Sequence, residues 1–153
     1  MKKTSLLLFA MGFIMFALSC GSTKEAAQLS DISEAEKEVF NRTEGDTIQI
    51  ANEETEYEII IIEPGFNVWL QSIARPEGYY SQSFMENRNQ IFVTNWNQRV
   101  LQPQQFSPNL YELRIDYSAN IDYGYEVNYK LYNYFIYFQR KYGQRLGPFL
   151  PRI

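Results

Sequence analysis

The longest unbroken apolar run, Leu6 to Leu18, stands at the start of the chain behind Lys2 and Lys3. A basic pair followed by a short apolar stretch has the form of a secretory leader, and the run falls short of the roughly 20 residues that a membrane-spanning helix needs. From Gly21 to about Gly45 apolar residues thin out while Glu34, Glu36, Glu38 and Glu44 accumulate, a composition that predicts a flexible tether. Within it Ser33 and Glu36 have the spacing of a capping box for a short helix, Ser33 to Phe40.

Beyond Gly45 the rhythm changes. Ile48 and Ile50 alternate with Thr47 and Gln49, predicting a first strand over Asp46 to Ile50. Glu56 to Glu63 holds four consecutive isoleucines, Ile59 to Ile62, and predicts a second strand covered on both faces, closed by Pro64-Gly65. Phe66, Trp69, Leu70 and Ile73 fall at helical spacing and predict a helix over Phe66 to Arg75, ended by Pro76. A longer helix is predicted from Ser81, with Phe84, Met85, Ile91, Phe92, Trp96 and Val100 on one side, ending before Gln102-Pro103. Tyr111, Leu113, Ile115 and Tyr117 alternate with charged residues and predict a third strand over Leu110 to Tyr117. Tyr123 to Tyr142 fits two periods. The alternation of Tyr123, Tyr125, Val127, Tyr129 and Leu131 reads as strand, whereas Val127, Leu131, Phe135, Phe138 and Tyr142 share a helix face. Asp122 as a cap, Arg140 and Lys141 in the last turn and Gly143 just beyond favour the helix. Pro148 to Ile153 is predicted to pack back in extended form. The whole reads as an α+β domain, a small antiparallel sheet of about three strands packed with three helices.

Composition narrows the chemistry. The chain contains no histidine and a single cysteine, Cys20, so His-dependent acid–base work, an internal disulfide and the usual zinc sites are excluded. No cofactor or metal pattern stands out. Fourteen basic against 18 acidic residues give −4, and loss of Lys2 and Lys3 with a leader takes this to −6, which disfavours nucleic acid as a partner.

Leu18-Ser19-Cys20-Gly21 resembles the lipobox of bacterial lipoproteins. That resemblance implies cleavage after Ser19, a diacylglyceryl thioether and an N-acyl chain on Cys20, and insertion of these chains into the lipid bilayer. Several acyl chains anchor stably where one holds only marginally. The implied organisation is a signal peptide over 1–19, a lipidated cysteine and tether over 20–45, and one globular domain over 46–153. By resemblance to sorting rules, Gly21 in place of Asp argues against retention in an inner membrane, and Lys24-Glu25 is only a fragment of a surface-export signal. The expected location is the cell envelope, at the outer membrane facing the periplasm.

Tyr57 to Phe66, Arg75-Pro76, Gly78 to Gln82, Glu86 to Asn89, Trp96-Asn97 and Asn120 to Tyr129 together resemble a family of short lipoproteins of the Bacteroidota catalogued as a domain of unknown function. The resemblance implies the anchor and the compartment, and no activity. For that phylum it further implies an O-glycosylation signal, which Asp46-Thr47-Ile48 fits at Thr47; a plain strand start is the simpler account. Asn41-Arg42-Thr43 has the form of an N-glycan acceptor.

Three constellations are candidates for function. Tyr79 and Tyr80 in a turn, followed by Asn87, Arg88 and Asn89 in a helix, could form a polar and aromatic patch in which Arg88 grips a carboxylate and the amides read a sugar or peptide. The plainer account is a wet helix face with Arg88 paired to Glu86 or a strand glutamate. Asp116, Asp122 and Glu126, with Glu112 nearby, could serve acid–base chemistry on a polysaccharide, although caps and surface ion pairs explain them as simply. Glu54, Glu56 and Glu58 could meet a hard cation, or form a charged strand row. With 12 Tyr, 11 Phe and 2 Trp, and Tyr125, Tyr129, Tyr132, Tyr134 and Tyr137 too many for one face of the last helix, some tyrosines are expected at the surface or at an interface. The favoured reading is a non-catalytic module binding an envelope protein or glycan; the rival is a carboxylate enzyme on envelope polysaccharide.

Overall fold

The computed structural model describes residues 31–45, 47–52 and 57–153. Cys20, the predicted leader, Asp46, Glu54 and Glu56 lie outside the described residues. The elements are α1 (Glu34–Phe40), β1 (Thr47–Asn52), β2 (Tyr57–Ile62), α2 (Phe66–Ser72), α3 (Gln82–Val100) and α4 (Gly124–Lys141). Four helices and a two-stranded antiparallel sheet make an α+β fold.

The hub is α4, the segment whose periodicity was ambiguous. Val127, Leu131, Phe135 and Phe138 are buried as the helical reading requires, and Tyr129, Tyr132 and Tyr137 are buried on its other sides. A helix packed all round resolves the conflict between the two periods, because every face carries apolar surface. Its neighbours are α3, α2 and the inner face of the sheet. Gly143 has φ 58 and the Gln144 amide donates to the Gln139 carbonyl at 3.0 Å, the bond that closes a Schellman cap.

Tyr79 is 56% exposed, in line with the expectation that some tyrosines lie at the surface, whereas those in α4 are buried or half-buried. Their hydroxyls are pins on the loops around the hub. Tyr129 donates to the Arg75 carbonyl at 2.9 Å and Tyr137 to the Pro64 carbonyl at 2.5 Å, while Tyr125 accepts from the Gly78 amide at 2.6 Å. Each phenol so buries a ring and satisfies a loop backbone group.

The sheet is smaller than expected. β1 and β2 pair from Thr47↔Ile62 to Asn52↔Tyr57, with Ile48, Ile50 and Ile61 buried beneath. β2 is not central: Ile60 is 58% exposed and Ile62 71% exposed on the outer face. The predicted third strand does not form. Residues 110–117 form an irregular segment with a turn at Leu110 and bends at Tyr111 and Leu113, and α3 side chains take the backbone groups a strand would have used. Trp96 Nε1 donates to the Leu113 carbonyl, and the Asn97 amide both donates to the Ile115 carbonyl and accepts from its N–H, all at 2.8 Å.

The folded body also begins earlier than the predicted boundary at 46. α1 is started by the capping box between Ser33 and Glu36, yet Glu36 is buried rather than solvated. Its carboxylate accepts from Arg140 Nε at 2.6 Å, Arg140 Nη2 at 2.7 Å and Trp69 Nε1 at 3.3 Å. Arg140 also donates to the Pro151 carbonyl at 2.8 Å, so one guanidinium holds α1 and the carboxy-terminal tail against α4. The acidic composition concealed this, because one of the glutamates has its cation 104 residues away. α2 stops at Ser72, before the predicted Arg75. Gly65, with φ 83, precedes α2, and a Cβ there would lie 2.5 Å from the Val39 carbonyl. No described helix is long and apolar enough to cross a membrane.

Candidate functional site

Helical geometry separates the patch expected around Arg88, because successive residues point about 100° apart. Asn89 is buried and donates to the Asn128 carbonyl and to its Oδ1, both at 3.1 Å, beside the Tyr117 hydroxyl, which donates to the same Oδ1 at 2.7 Å. Asn87 points outward and donates to the Ser83 carbonyl at 2.7 Å. Arg88 has no carboxylate partner among the described residues; its guanidinium lies 3.2 Å from the Phe149 ring centre and 5.1 Å from that of Phe84. Tyr80 stacks on Phe84 at 4.9 Å and meets Tyr79 edge-on at 4.7 Å, with Arg75 over Tyr79. Tyr79, Tyr80 and Arg88 therefore share one ladder of rings and cations that clasps the tail residue Phe149, while Asn87 and Asn89 leave it on opposite sides. Thr47 is exposed at the first position of β1.

A larger feature lies on the other side of α3. A groove of about 640 Å³ opens between β2 and residues 109–116, with Trp96, Tyr134 and Phe138 among the side chains at its base. A cavity against a sheet face is lined by every second residue. This one is lined by seven consecutive residues of one wall, Tyr57 to Glu63, and so runs along the edge of β2. Leu113, on the facing wall, is 77% exposed. Glu58, Glu63, Glu112 and Asp116 line the groove against one Arg114. Glu63 is already engaged by Lys141 at 2.7 Å and the Tyr142 hydroxyl at 2.8 Å.

A family model described as a family of unknown function, DUF6146, matches residues 7–149. The chain belongs to DUF6146. No curated protein and no solved structure matches it.

In this DUF6146 chain the carboxylates proposed for acid–base chemistry do not converge. Asp122 accepts from Gln82 Nε2 at 2.7 Å and from the Gly124 amide at 2.9 Å, at the start of α4. Glu126 pairs with Lys130 on the surface of that helix, and Asp116 and Glu112 stand exposed at the groove. Among the described residues no group of three or more acidic side chains is placed to hold a metal ion. The groove's phenols stay protonated: burial first, then the charge of Glu63, raises Tyr134 above the usual tyrosine range, and burial followed by Tyr123 does the same to Tyr57. Groups held in that form are hydrogen-bond donors rather than bases or nucleophiles. The groove thus offers apolar surface, phenolic donors and an acidic rim.

Sequence reasoning missed Ile60, Ile62, Leu113, Trp96 and Asn97 as residues that shape the DUF6146 groove. Ile59 to Ile62 did signal apolarity on both faces of β2, which was read as burial. Trp96-Asn97 carried a further signal, a helix residue pair with spare donors opposite an alternating segment.

Proposed function

We propose that this DUF6146 chain is a lipid-anchored envelope protein that binds a protein partner or glycan without catalysis, and that the groove beside β2 is its contact face. The observation carrying the binding role is the combination of an open strand edge with bare Ile60, Ile62 and Leu113 around one cavity. Exposed apolar residues gathered at one concave site mark an interaction surface, whereas single scattered ones do not. The anchor rests on the Leu18-Ser19-Cys20-Gly21 resemblance, and the expected place remains the outer membrane facing the periplasm.

The enzyme reading has less to recommend it. A general acid works from a dry, shaped environment, and Glu58, Glu112 and Asp116 stand exposed. Tyr79, Tyr80 and Arg88 are better spent as a clasp on the tail, and Asn87 and Asn89 are engaged elsewhere.

Two steps test this proposal. Cys20→Ala moves the chain from the membrane fraction to the soluble one, and that soluble chain rebinds saturably to envelope fragments from the producing cells. Ile60→Asp, at a position the core does not use, abolishes rebinding. Persistence of Cys20→Ala in the membrane fraction overturns the anchor, and rebinding indifferent to Ile60→Asp overturns the contact face.

A further inference from the structure

Among the described residues, the outer edge of β2 has no strand partner. A strand with one neighbour leaves alternate N–H and C=O groups along its outer edge without ladder partners. Proteins usually blunt such edges with proline, bulges, charge or a covering segment. Tyr57 to Ile62 contains no proline or glycine, one charge and two exposed isoleucines. The nearest chain that could cover it, residues 110–117, is held away by Trp96 and Asn97, which engage Leu113 and Ile115. What remains between them is a groove walled on one side by the strand β2 and on the other by the irregular segment 109–116.

We propose that an extended segment of a partner polypeptide enters this groove as an added strand on β2, with apolar residues directed at Trp96 and Phe138 alternating with Lys or Arg directed at the rim. This rests on the binding role proposed above and names the class of ligand. The occupant follows from shape and charge together. A strand presents backbone donors and acceptors on both edges, which is what the β2 wall requires, and adding one is an established mode of peptide capture. The rim offers Glu58, Glu112 and Asp116 against Arg114, so a basic segment is favoured. β2 spans six residues, so the paired length is roughly 20 Å, about six residues of the partner. A second copy of this chain is a poor occupant: its β2 arrives with its own 110–117 wall attached, and both copies carry net negative charge.

The test uses the whole purified chain and capped peptides of about eight residues in which valine alternates with lysine, or with glutamate. Amide hydrogen exchange is followed across Tyr57 to Ile62. The lysine peptide is expected to slow exchange there by at least about tenfold at saturation, with affinity falling as salt rises, and the glutamate peptide to leave it unchanged. Glu112→Lys combined with Asp116→Lys, both at exposed positions, is expected to reverse the preference. Equal protection by both peptides, no protection by either, or protection of β2 that grows with protein concentration in the absence of peptide overturns the proposal. If these peptides fail while envelope rebinding still depends on Ile60, the added-strand inference falls and the binding role stands.

Discussion

At the scale of single residues, Glu36 and Arg140 show how a charge pattern misleads when read locally. Burial alone would raise the Glu36 carboxyl, but the hydrogen bonds and charge of Arg140, with the Ser33 N–H and the Trp69 indole, outweigh it and hold Glu36 below its ordinary 4.5. A carboxyl lowered by folding contributes stability that is complete above its unfolded value and is lost as pH falls through its folded value. The urea midpoint of the wild type should therefore fall more steeply below pH 4.5 than that of Glu36→Gln, and the gap between the two should close in acid. At neutral pH Glu36→Ala is expected to cost about 3–5 kcal/mol, because it strands the Arg140 cation, while Glu36→Met combined with Arg140→Met recovers most of that loss. Gly65 is a second fixed point. Its φ of 83 is unfavourable for any residue with a Cβ, and that atom would strike the Val39 carbonyl. Gly65→Ala should cost at least about 2 kcal/mol in equilibrium unfolding.

At the scale of elements, the helices were legible because their signals are local. α3 starts where expected, capped by Ser81, whose hydroxyl accepts from the Phe84 amide at 3.2 Å, and Gly143 follows α4 in the left-handed conformation. Residues 110–117 were misread for a physical reason. Alternation places Tyr111 and Tyr117 inward as they are found, but Leu113 of the same set is exposed, and alternation cannot report what satisfies the backbone. Here helix side chains do the work of a neighbouring strand. Asn97→Ala removes both hydrogen bonds to Ile115 and should cost about 1–3 kcal/mol, with the Ile115 amide exchanging far faster while α3 amides are unchanged. The patch at Tyr79 to Asn89 was legible as chemistry and not as geometry, since the direction of each side chain depends on the turn of helix it occupies. The tyrosines add an alkaline limit. Burial first, then the charge of Glu86, pushes Tyr117 up to about 12 from its ordinary 10.0. Folding thus favours the neutral phenol, and its stabilisation is intact below pH 10 and lost between pH 10 and about 12. Unfolding and tyrosinate absorbance should rise together in that window.

At the scale of the whole molecule, the fold is a hub helix wrapped by the other elements. Core packing, the Glu36–Arg140 junction and the tyrosine pins cover much of α4, the Glu126–Lys130 stripe faces solvent, and among the described residues a concave gap with an acidic rim opens between β2 and residues 109–116. That gap is the best use the molecule has for a partner. The most direct test places a photo-reactive amino acid at Ile60, at Leu113 or at the exposed Glu126, one per variant, in the whole chain within its producing cells. Discrete adducts from positions 60 and 113 and none from 126 are the predicted result; adducts that are absent from the groove positions, or as abundant from 126, would contradict the account.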